Sequence, residues 1–130
     1  MKNTVLVVDD DAAVRQQLFW MLCDEYDVVT AGDLQTALLR AMIYEPSVAI
    51  VDLHLPPDAG SPEAGLHVLS YIKERRPSSR VLVVSSDADA ETRRACARRG
   101  ADDFIAKPFD AEQLLSTVRR TALATRMGAS

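Results

Sequence analysis

Short, uninterrupted apolar runs alternate along this chain with longer segments whose apolar residues recur every three or four positions, and the pair repeats five times. That alternation limits the fold more than any other feature. A strand that is apolar at every position is buried on both faces, and a sheet achieves this when helices cover both of its sides. Strand and helix in strict turn make the sheet parallel, because each helix carries the chain back to begin the next strand in the same direction. Thr4 to Val8, Asp27 to Ala31, Val48 to Val51, Val81 to Val84 and Asp103 to Ala106 read as the strands. Ala12 to Cys23 reads as a helix, with Val14, Leu18 and Leu22 four residues apart. Asp33 caps a second helix carrying Leu34, Leu38 and Ala41, and Pro46 stops it. Gly65 to Arg76 places Leu66, Leu69 and Ile72 inward before Pro77 closes it. Ala90 to Arg99 follows, with Gly100 where a left-handed C-terminal cap belongs. Asp110 caps a last helix with Leu114, Leu115 and Val118 inward. The expected fold is α/β, a doubly wound five-stranded parallel sheet formed by residues 1–125, with a loose tail over 126–130.

Right-handed crossovers bring the C-terminal ends of all the strands to one edge of such a sheet, and ligands bind there where the strand order reverses. Polar residues collect at that edge. Asp9 and Asp10 end the first strand, Asp52 the third and Ser85 the fourth, while Lys107 follows the fifth and precedes Pro108. Three carboxylates within reach of one another repel unless a cation joins them. A hard divalent ion with oxygen ligands, Mg²⁺ first among them, resolves that repulsion. The lysine adds a point charge suited to a phosphoryl group, and the serine hydroxyl can donate to a phosphoryl oxygen. The set points to phosphoryl chemistry at a carboxylate. Each member has an ordinary explanation when taken alone. Asp9 to Asp11 can be the cap and first turn of a helix, and Asp11 fits that role well. Asp52 can open a turn, and Lys107 can simply be solvated. Compatible groups on four separate strand ends are what the ordinary explanations do not cover.

Other chemistries find less support. The net charge of −4 argues against a nucleic-acid surface. No apolar run approaches the ~20 residues that span a bilayer, and no basic-then-apolar signal segment is visible. Cys23 and Cys96 lie far apart, in helix-like segments, and read as reduced residues of a cytosolic protein. Gly60 to Gly65 has the spacing of a phosphate loop, but Leu66 and His67 follow it and Pro62 removes a backbone donor. His54, His67 and the two cysteines have no zinc-ligand spacing. No helix-turn-helix or ATPase motif is present.

The segments VLVVDDD at the start, VDLHLP around Asp52, VLVVSSDAD at Ser85 and GADDFIAKPF ending beyond Lys107 and Pro108 resemble the receiver domain of bacterial two-component response regulators, over residues 3 to 122. The resemblance implies a CheY-like, flavodoxin-like (βα)5 fold. It makes Asp52 the acceptor of a phosphoryl group from a sensor histidine kinase. It makes Asp10 a direct Mg²⁺ ligand, Asp9 its partner acting through water, and His54 the donor of a backbone carbonyl to the metal. Ser85 becomes the switch hydroxyl, Phe104 the aromatic that follows it, and Lys107 the partner of the phosphoryl group, with a Lys107–Pro108 bond that is often cis. The implied protein is cytoplasmic and is no enzyme beyond its own phosphorylation and autodephosphorylation. It would dimerise or dock through its fourth helix, fifth strand and fifth helix, where Arg93, Arg94, Arg98, Arg99, Arg119 and Arg120 lie. Its output would be transcription control through a domain absent from this chain, or, as a stand-alone receiver, control of a partner protein. A haloacid-dehalogenase-like phosphatase, with Asp9 and Asp11 as its acid pair, is the alternative from another class. It leaves Asp52 without a role.

The chain departs from that pattern after Asp52. The helix-like segment begins at Gly65, so Asp58 to Ala64 reads as containing an insertion of about five residues. The outline is similar to receivers of sigma-54-dependent, nitrogen-regulation-type transcription activators. His54 is uncommon two places after the acceptor. His54 and Asp87, two after Ser85, are the candidates for tuning the lifetime of the phosphoryl group.

Overall fold

The computed structural model describes residues 2–128, with side chains through residue 122. The elements are β1 (Thr4–Val8), α1 (Ala12–Leu22), β2 (Asp27–Ala31), α2 (Leu34–Tyr44), β3 (Val48–Val51), α3 (Glu63–Arg75), β4 (Arg80–Ser85), α4 (Ala90–Arg98), β5 (Asp103–Ala106) and α5 (Ala111–Gly128). All five strands are parallel, in the order β2-β1-β3-β4-β5. The expected doubly wound sheet is therefore present, and its order reverses between β1 and β3.

The reason for the continuous apolar strands is visible in their alternation. Leu6 and Val8 of β1, Ala49 and Val51 of β3, and Val81 and Val83 of β4 face one core with Leu66, Leu69 and Ile72 of α3 and Ala37 and Ala41 of α2. Val5 and Val7, Val48 and Ile50, and Leu82 and Val84 face the other, with Leu18 and Leu22 of α1 and Leu114 and Val118 of α5. Successive side chains point to opposite faces, so a central strand between two helical layers needs an apolar residue at every position. Each such valine or leucine contributes about 1.5–3 kcal/mol when fully buried.

Aspartates begin four of the five helices. Asp11 accepts from the Ala13 N–H, Asp33 from Thr36, Asp89 from Thr92 and Asp110 from Glu112. Each such cap is worth about 1 kcal/mol against alanine. Gly100 adopts φ +100 after α4, as its C-terminal position requires. Both cysteines are free, Cys96 fully buried and Cys23 half-buried. No helix among the described residues is long and apolar enough to cross a membrane.

The ends of some elements differ from the sequence reading. Helix α3 begins at Glu63, two residues before Gly65, because Ser61 Oγ accepts the Glu63 N–H and Pro62, which has no N–H to satisfy, occupies the cap position. The irregular stretch after Asp52 is shorter by those two residues. Cys23 and Arg99 are C-terminal caps rather than helical residues, and β4 extends to Arg80 and Ser85. The helix α5 spans Ala111–Gly128 and so includes the first residues of the expected tail. Residues 129–130, the rest of that tail, lie outside the described residues.

Gly65 sits inside α3 for a steric reason. Its N–H donates to the Leu53 carbonyl at 2.9 Å, and a Cβ there would lie 2.2 Å from Leu53 Cα and 2.6 Å from the Asp52 carbonyl oxygen. Both obstacles are backbone, so neither can swing aside. Gly65→Ala should lower stability by roughly 3 kcal/mol, at the upper end of overpacking costs. Urea unfolding of the two proteins measures it.

Candidate functional site

Backbone bonds between strands carry the site residues into register. The Asp9 N–H donates to the Ala31 carbonyl at 3.1 Å, the Asp52 N–H to Val8 at 2.8 Å, and the Lys107 N–H to Ser85 at 2.9 Å. Each of these residues therefore continues its strand by one ladder bond before the chain turns away. Asp9 and Asp52 stand on either side of the switch point. Lys107 reaches them from beyond β4, its Nζ 2.7 Å from Asp9 Oδ2 and 3.1 Å from Asp52 Oδ2. Asp9 is 3% and Asp52 6% exposed, so both carboxylates have left bulk water.

Charge is unevenly balanced here. Burial raises the Asp52 pKa above its ordinary 3.8; Lys107 opposes that and the Asp9 charge adds to it. Burial also works to lower the Lys107 pKa, but the hydrogen bonds and charges of Asp9 and Asp52 outweigh it and raise it above 10.5. Carboxylate oxygens of Asp9, Asp10 and Asp52 all lie within 4.8 Å of one another. The Lys107 ammonium pairs with two of these three carboxylates, Asp9 and Asp52. Such a hard-oxygen set fits a divalent cation of the Mg²⁺ or Ca²⁺ kind.

Of the remaining predicted residues, His54 contacts Asp52 directly, while Ser85 ends β4 and Phe104 lies within β5. Ser85 is fully buried at the end of β4, with its hydroxyl accepting the Asp87 N–H at 3.1 Å. Phe104 is half-buried on β5, against the core shared with α3. The His54 N–H lies 3.3 Å from Asp52 Oδ1. Its ring links two loops, with Nδ1 3.0 Å from the Ala59 carbonyl and Nε2 3.8 Å from Asp87 Oδ2. The two residues expected to act on lifetime thus face each other across the site, and the stretch after Asp52 is pinned to one of them. Asp11 is turned away to cap α1. Lys107–Pro108 is cis, and so is Pro56–Pro57. Beside Lys107 an open groove of about 370 Å³ is lined by Val14, Gln17, Ser86, Pro108 and Phe109.

The model of the response regulator receiver domain matches residues 5–119. The chain belongs to that family. The receiver domain is 34% identical to the nitrogen assimilation regulatory protein NtrX of Azorhizobium caulinodans over 98% of this chain and 28% of that protein. It is 33% identical to the probable transcriptional regulatory protein TcrX of Mycobacterium tuberculosis, over 94% of this chain and 52% of that protein. It therefore spans between about a quarter and half of these relatives. A CheY-like receiver domain protein from Methanospirillum hungatei superposes with a TM-score of 0.90 at 23% identity, over 98% of this chain and 99% of that one, which shows the shared fold.

Two features of this receiver domain escaped sequence reasoning. Arg15 of α1 donates to the Asp9 carbonyl at 2.6 Å and so steadies the turn that carries Asp10. The link of His54 to Ala59 joins a side chain to a backbone group, which no residue pattern announces.

Because the folded state holds the Asp52 proton more tightly than the unfolded chain, ionised Asp52 costs stability at every pH above its folded pKa. Asp52→Asn should therefore melt at a higher temperature than wild type at pH 7. The difference should shrink as pH falls through the Asp52 titration and vanish below about pH 3.8, the ordinary value. Melting curves across that range measure it.

Proposed function

We propose that this receiver domain is a phosphorylation-dependent signalling switch whose Asp52 accepts a phosphoryl group from a sensor histidine kinase in the cytoplasm. One observation carries the reading: a buried, lysine-bridged aspartate at the switch point, surrounded by further carboxylates. A carboxylate attacks phosphorus without a general base, because it is ionised at neutral pH. Its oxygen forms the new O–P bond as the bond to the donor breaks. Lys107, already 3.1 Å from Asp52, offsets charge on the transferring group. Asp9, Asp10, Asp52 and the His54 backbone carbonyl would hold Mg²⁺, which supplies further charge neutralisation when bound. The groove beside Lys107 leaves room for a donor side chain to approach.

The phosphorylated side chain carries about two negative charges and new acceptor oxygens. Ser85 leaves the Asp87 N–H to donate to one of them. Phe104 follows, and the face of α4, β5 and α5 repacks between two states. That face supports docking or a homodimer, since Arg93, Arg94 and Arg98 are exposed on α4. Several of its arginines also have partners within the chain: Arg93 the Ala88 carbonyl and the Phe104 ring, Arg99 Glu63 at 3.9 Å, Arg119 Glu25, and Arg120 Asp103 at 3.5 Å. The names of the relatives and the fraction of them this chain covers support an output in transcription, through a domain beyond this chain. DNA would be met by that domain rather than by this one. A phosphatase built on Asp9 and Asp11 is disfavoured, because Asp11 caps α1 and Asp9 is engaged with Lys107.

Acetyl phosphate with Mg²⁺ should add one labile phosphoryl group, read by intact mass, and Asp52→Ala should abolish the gain. A gain that survives Asp52→Ala contradicts the reading. Millimolar Mg²⁺ alone should raise the melting temperature of the wild type, and Asp10→Ala should remove most of that rise. His54→Ala and Asp87→Ala should each change the phosphoryl lifetime severalfold without preventing phosphorylation. Because the two side chains meet, the double variant should change the lifetime, relative to wild type, by less than the two single effects combined.

A further inference from the structure

Arg93 of α4 touches two parts of the protein at once. Its guanidinium carbon lies 4.5 Å from the centroid of the Phe104 ring, and its Nε–H donates to the Ala88 carbonyl at 3.0 Å. Ala88 lies in the loop that Ser85 begins, between β4 and α4. Phe104 is on β5, opposite Val83 of β4. A single side chain therefore joins the loop beside the phosphoacceptor to the aromatic ring on the edge strand. A guanidinium can make both contacts together, because its face lies over the ring while one edge still donates a directed hydrogen bond.

We propose that Arg93 is the coupling residue between the β4–α4 loop and Phe104, holding the ring against α4 for as long as the loop keeps its resting position. The inference rests on the proposed function of Asp52. When Ser85 moves toward a phosphoryl group, the loop moves with it and the Ala88 carbonyl leaves Arg93. The guanidinium loses the anchor that sets it over Phe104, and the ring is freed. The contact belongs to the resting state alone, so it opposes activation. Arg93 is exposed, which keeps the stacking weak, and its removal should shift the resting-to-active ratio by about two- to fivefold.

Calorimetric titration with beryllofluoride in the presence of Mg²⁺ tests this, because that ligand occupies the place of a phosphoryl group and selects the active state. Arg93→Ala should bind it about two- to fivefold more tightly than wild type. In a Phe104→Leu background, which lacks the ring, Arg93→Ala should have no further effect. A merely structural role predicts the opposite sign, since damage to the site weakens binding. Unchanged or weaker binding by Arg93→Ala, or an equal gain with and without the ring, overturns the coupling role alone. Wild-type protein that binds no beryllofluoride overturns the function proposed for Asp52, and the coupling role with it.

Discussion

The bridge that Lys107 makes between Asp9 and Asp52 is the interaction on which the rest of the structure depends. It joins residues from the ends of three strands that are nearly a hundred residues apart in the chain. Two carboxylates this close and this buried repel strongly, and the lysine offsets only part of the charge. The site is therefore left short of positive charge in a place shielded from water. Such an arrangement costs stability and suits a ligand that brings a cation with it. The scaffold around it is built to hold this geometry: ladder bonds set the strand ends, aspartate caps begin four of the five helices, and Gly65 lets α3 press onto the backbone just after Asp52.

Most of the fold is legible because each strand of a covered parallel sheet is apolar throughout, and each helix shows one apolar stripe. Once the strands are placed, the topology alone brings Asp9, Asp10, Asp52, Ser85 and Lys107 to one edge. What pattern does not supply are contacts between a side chain and a distant backbone. Arg15 reaching the Asp9 carbonyl and His54 reaching Ala59 depend on how turns fold, and turn geometry leaves little trace in hydrophobic spacing. The start of α3 lies earlier than the spacing suggests for a related reason. Its first turn contains Glu63 and Ala64, and a first turn that follows Pro62 looks like loop until the Ser61 hydrogen bond is seen.

The stretch from Asp58 to Ala64 reads differently once its contacts are known. Its last two residues belong to α3, and Ala59 is held by the ring of His54, which also faces Asp87 across the site. The segment is thus fastened to the groups around Asp52. On the other side of the same centre, Ser85, Asp87 and Ala88 form one loop that leads through Arg93 to Phe104. Two loops flank the acceptor: one ties back to α3, and the other leads to the edge strand. Under the proposed function, a charge added at Asp52 would act on both, and through them on a surface formed by α4, β5 and α5.

In this mechanism Asp52 is the one residue that carries the phosphoryl group. Borohydride reduces an acyl phosphate to an alcohol, so treating the phosphorylated protein converts the modified aspartate to homoserine and fixes its position for peptide mapping by mass. Homoserine is expected at position 52 and nowhere else. Homoserine at position 9, 10 or 11, or a phosphoryl group recovered on a histidine or serine, would contradict the assignment.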